Sequence, residues 1–106
     1  MLVNASVSYE IEDLLAARIS EMRAMSFNEA ALLAEATSEE VSLAGQACAL
    51  SVFRLQVATD AVLVVVQISR RGISGVTSYH SERGLVFEQG GIVREASSQE
   101  LLASGG

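Results

Sequence analysis

The sequence predicts an α+β domain, and three observations carry that prediction. Apolar residues in the N-terminal part recur at helical spacing. From Ala47 onward, runs of strand-forming residues follow one another. Glycines and short polar clusters separate those runs. The order read from the chain is βααβββββα: an antiparallel sheet of about five or six strands, packed on one face by two N-terminal helices, with a short C-terminal helix. At 106 residues the chain is one domain, 1–106.

Val3, Ala5, Val7 and Tyr9 alternate with Asn4, Ser6 and Ser8, which predicts a half-buried first strand. From Glu10 the period changes. Ile11, Leu15, Ile19 and Met22 share one helical face, and Glu12 and Asp13 suit the positive end of a helix dipole. Ser26-Phe27-Asn28-Glu29 fits a capping box and predicts a second helix from Phe27 to Ala36. Residues 37–46 read as a loop.

The remaining elements read as sheet. Ala47–Ala58 is a strand ending in a Thr59-Asp60 turn, and Ala61–Ser69 is the next. Arg70-Arg71-Gly72 reads as a turn, Ile73–Tyr79 as a strand with Gly75 at a bulge, and Ser81–Gly84 as another turn. Leu85–Gln89 and Ile92–Glu95 flank a Gly90-Gly91 hairpin. Ser97-Ser98-Gln99-Glu100 is a second capping box, opening a short helix that holds Leu101 and Leu102.

Composition excludes several classes. Half the residues are apolar and 19% are charged, which is incompatible with intrinsic disorder. The net charge of −6, without lysine or a basic stripe interleaved with aromatics, argues against nucleic acid as a partner. The longest apolar run, Ala61–Val66, is too short to span a membrane, and the N-terminus shows no charged n-region before an apolar stretch. A single cysteine forms no internal disulfide, so the expected setting is a reducing cytoplasm. The arginine-only, alanine-rich usage points to a GC-rich, bacterial genome. Residues 1–40 hold eight acids and two arginines, whereas residues 41–106 hold five of each, so the whole net charge lies in the N-terminal part.

The strongest signal for a partner is Ala61–Ile68. Val62, Val64, Val66 and Ile68 point one way, Leu63 and Val65 the other, and both sets are apolar. A strand of this kind is covered on both faces. Two N-terminal helices cover one face, and the C-terminal helix is too small to cover the whole of the other. Three covers are open, the sheet curling over itself, a ligand, or a second copy of the chain; the second copy is the expected one, with these six residues at the interface.

Residues able to do chemistry are few. Tyr79, His80 and Glu82 form a polar cluster with the only histidine, which with an orienting carboxylate could act as a general base. Arg70 and Arg71 form a compact positive spot that could bind a carboxylate or phosphate. These five residues are the candidate ligand-binding set. No nucleophile elbow, phosphate loop, metal-ligand spacing or cofactor motif is present, so no catalytic residue, metal or cofactor is assigned. Cys48 reads as a core residue.

The stretch from Gly84 to Glu95, followed by Gln99-Glu100-Leu101-Leu102, resembles the tail of an ABC-transporter ATPase domain. The resemblance implies a hairpin followed by a capped helix. The P-loop, signature motif and Walker B strand have no counterpart here, so it carries local structure and no ATP chemistry. The expected function is that of a small, non-enzymatic, homodimeric interaction module. Two alternatives stand beside it: a small-molecule binder or small enzyme with a pocket near Tyr79–Glu82, and an acidic neutraliser of a basic protein.

Overall fold

A computed structural model describes residues 2–71 and 78–103. The elements run α1 (Leu2–Met22), α2 (Phe27–Ala31), β1 (Ala36–Leu43), β2 (Gln46–Ala58), β3 (Ala61–Arg71), β4 (Ser78–Glu88), β5 (Ile92–Glu95) and α3 (Ser98–Ala103). The strands form one antiparallel sheet in sequential order β1-β2-β3-β4-β5. The mixed class, the five antiparallel strands and the short last helix agree with the sequence reading.

The α1 stripe works as its spacing implies. Ile11, Leu15 and Ile19 are each at most 2% exposed and share a core with Val62, Val64, Val66 and Ile68 of β3 and Leu85 and Phe87 of β4. Both capping boxes form. The Ser26 N–H donates to Glu29 Oε1 (2.8 Å) and the Glu29 N–H to Ser26 Oγ (3.1 Å). The Ser97 N–H donates to Glu100 Oε1 (2.9 Å) and the Glu100 N–H to Ser97 Oγ (3.2 Å). The Gly90-Gly91 hairpin also forms, with both glycines at positive φ.

The element order differs from the expected βααβββββα in four places. Residues 3–9 belong to α1 and not to a strand. Val3, Val7 and Ile11 recur every four residues, a spacing that suits a helix as well as an alternating strand. Helix α2 ends at Ala31, five residues short of Ala36. Residues 37–46, read as a loop, form most of β1 and its hairpin to β2. As an edge strand β1 is exposed almost throughout, so only Val41 and Leu43 show an apolar pattern. Its turn, Ala44-Gly45, has φ of 49° and 79°, and an alanine in that conformation gives no turn signal in sequence. Finally, Arg70 and Arg71 end β3 as strand residues, and Ser81–Gly84 lies inside β4.

Most of the expected strand Ile73–Tyr79, with Gly72 and Gly75, falls outside the described residues. No helix among the described residues is long and apolar enough to cross a membrane.

Candidate functional site

The two faces of the sheet are covered unequally. Strand alternation places Leu63 and Val65 of β3, Phe53 and Leu55 of β2, and Gly84 and Val86 of β4 on the face opposite α1. There Ala61, Leu63, Val65 and Val86 form a second buried cluster, with Phe53, Leu55, Ala96 and Leu101 packed around it half-buried. The cover is α3, a six-residue helix. Leu101 sits over Gly84, and the Ala96 N–H donates to the Gly84 carbonyl at 2.8 Å.

Ion pairs hold α3 in place. Arg94 grips Glu100 with two parallel bonds of 2.8 Å and reaches Glu88 at 3.3 Å. The Arg94 guanidinium, then the Ser97 backbone N–H, holds the Glu100 carboxyl down to about 2, and the same pairing raises the Arg94 pKa. Among the described residues, the face beyond this small helix is partly open. Leu102 of α3 is 71% exposed and Ile92 of β5 57%. Ile92 follows Arg94 by alternation onto this same face.

Val62, Leu63, Val64, Val65, Val66 and Ile68, the residues read as an interface, are at most 2% exposed within the single chain. Their two faces enter two cores, one under α1 and one under α3. The doubly apolar strand is thus covered by the chain itself, and any contact with a second copy falls on the residues around it. Phe53, Leu55, Ile92 and Leu102 were not singled out in sequence. The signal that could have found them is the alternation of Phe53 and Leu55, which β2–β3 pairing sets opposite Val65 and Leu63.

The candidate ligand set gathers at the far end of the β3–β4 ladder. Arg70 pairs with Tyr79, Ser69 with His80 and Gln67 with Glu82, while Arg71 pairs with Ser78. Residues about ten apart in sequence thus occupy adjacent rungs. The side chains of Arg71, Tyr79 and His80 lie outside the described ones. Glu82 accepts from Gln67 Nε2 at 3.3 Å, and Arg70 Nη1 donates to Gln46 Oε1 at 2.7 Å. Cys48 is buried beside Arg70, and burial pushes its thiol pKa up against the pull of the guanidinium.

Clefts among the described residues lie elsewhere. One of about 470 Å³ runs between the α1–α2 connection and the β4–β5 turn, lined by residues including Met25, Asn28, Glu88 and Val93. Another of about 310 Å³ lies beneath β1, lined by Arg18, Met22, Thr37, Ser38, Glu39, Leu50 and Val52. Among the described residues no group of three or more His, Cys, Asp or Glu side chains could hold a metal ion. Comparison of the chain with protein-family models, curated proteins and solved structures gave no significant match in any of the three.

Proposed function

We propose that this chain is a small interaction module that self-associates as a two-fold dimer through the sheet face carrying α3. The observation that supports the reading is the unequal cover. A 21-residue helix seals one face, and a six-residue helix leaves Phe53, Leu55, Ile92 and Leu102 at the rim of the other.

Charge supports the same face. The net charge of −6 is confined to residues 1–40, while β2 to α3 carry balanced charge that is in part paired internally. Two copies meeting through the neutral half avoid repulsion between their acidic parts. The size is also suitable. A typical interface buries about 800 Å² per partner, roughly an eighth of this chain's 6515 Å². Native mass spectrometry of the full chain tests the reading. A dimer mass supports it, and a monomer across the micromolar range contradicts it.

A second reading has one observation in its favour, the cross-strand gathering of Arg70, Arg71, Tyr79, His80 and Glu82. An anionic small molecule at that end of the sheet is the ligand this reading expects. If His80→Ala, with its fold intact, loses no retained ligand, this reading fails.

A further inference from the structure

We infer that the β1 edge takes up an extended, basic segment of another protein as a sixth strand. The inference does not rest on the dimer reading, because it uses the rim of the sheet and not its α3 face.

The phase of the β1–β2 ladder fixes which peptide groups are free. The Arg54 N–H donates to the Glu35 carbonyl at 2.9 Å, so Glu35 and Arg54 form a hydrogen-bonded pair. Antiparallel pairing alternates. Thr37, Glu39, Val41 and Leu43 therefore turn their peptide groups toward β2. Ala36, Ser38, Glu40 and Ser42 turn theirs away from the sheet. Among the described residues no other backbone bond reaches that outer side. The opposite edge, β5, has only four residues and lies beside the capped α3.

The side chains choose the occupant. Glu39 and Glu40 are neighbours on β1 and so lie on opposite faces of the sheet, both exposed. Glu39 reaches Arg18 at 3.2 Å in a solvent-facing pair, and Glu40 has no ion pair among the described residues. An incoming strand with two successive basic residues sets one beside each carboxylate. A second copy of β1 does the reverse. The two centred antiparallel registers oppose either Glu39 to Glu39 or Glu40 to Glu40, and like charges directly opposite are destabilising. The edge thus selects against self-pairing and for a basic partner. The cleft of about 310 Å³ beside Thr37 and Glu39 offers Met22, Leu50 and Val52 to an apolar side chain of the added strand.

The test uses the full ¹⁵N-labelled chain and two peptides, acetyl-Thr-Val-Thr-Lys-Lys-Thr-Val-Thr-amide and its Glu-Glu counterpart, at millimolar concentration. With the lysine peptide, the amides of Ser38, Glu40 and Ser42 should exchange with solvent several-fold more slowly, because they become donors to the added strand. The glutamate peptide should have no effect. Ser38→Pro removes one outward donor without touching a backbone bond to β2; it gives up only the exposed 3.3 Å hydroxyl bond from Ser51, and should abolish the protection while melting close to the parent. Glu39→Gln with Glu40→Gln should weaken it. The inference is overturned if the lysine peptide does not bind, if it perturbs only the acids of α1, or if both peptides act alike. It is also overturned if those amides are already protected without peptide and lose protection on dilution, which would be self-pairing.

Discussion

Leu101 lies where a side chain on Gly84 would go. A Cβ placed on Gly84 would stand 3.0 Å from Leu101 Cδ2, 3.1 Å from the Val64 carbonyl oxygen and 3.2 Å from Leu63 Cδ1. The missing side chain lets α3 approach the sheet, which is a known reason for glycine inside a strand. The Leu101 methyl can rotate aside, but the Val64 carbonyl belongs to the ladder and cannot. Gly84→Ala should therefore lower stability by about 1–2 kcal/mol, since overpacking outweighs the strand entropy that alanine saves. Chemical denaturation measures the loss. Limited proteolysis should show earlier cleavage after β5. An unchanged midpoint would mean that α3 does not pack as closely as described.

Acid should loosen the same helix. The folded Glu100 carboxyl is held at about 2 against an ordinary 4.5, chiefly by Arg94. Its folded pKa is depressed, so the stabilisation is present above about 4.5 and is lost as pH falls toward 2. Methyl NMR of Leu101 should follow that loss. In Glu100→Gln the acid-dependent change over this window should shrink, because the titrating carboxylate is gone.

The α1 stripe makes a sharper claim about stability. Leu15 is fully buried against β3 and β4, whereas Leu32 is 85% exposed. Leu15→Ala should cost about 2–5 kcal/mol, and Leu32→Ala no more than about 0.5 kcal/mol. Denaturant titrations of the two variants side by side decide it. Similar losses would contradict the placement of α1 on the sheet.

Ser26→Ala removes the acceptor of the Glu29 N–H, with an expected loss of about 1 kcal/mol. Ser26→Asp, which keeps an acceptor, should restore most of it. A variant pair that melts together would show that the box contributes nothing to stability.

These residues also show why parts of the fold were legible and parts were not. The capping boxes at Ser26 and Ser97 are local, involving four consecutive residues, so sequence alone located both helix starts. The Ile11–Ile19 stripe and the doubly apolar β3 were equally plain, since each is a one-dimensional pattern. Residues 3–9 failed because an i, i+4 repeat satisfies period two as well as period 3.6. Strand β1 failed because an edge strand buries only Val41 and Leu43 and so lacks a clean alternation. Gly84 suggested a turn because its purpose, contact with Leu101, lies seventeen positions away. The candidate site divides the same way. Its members were visible as types, but the pairing of Arg70 with Tyr79 depends on the β3–β4 register, and the cover of β3 by Phe53 and Leu55 on the β2–β3 register.

Self-association through the α3 face can be read by sedimentation equilibrium over a range of concentrations. Three proteins are needed: the parent chain, Ile92→Glu with Leu102→Glu, and Leu32→Glu as a control on a different exposed leucine. The parent and Leu32→Glu should sediment as dimers, and the double variant as a folded monomer. A parent chain that stays monomeric, or a double variant that dimerises like the parent, would contradict self-association through this face.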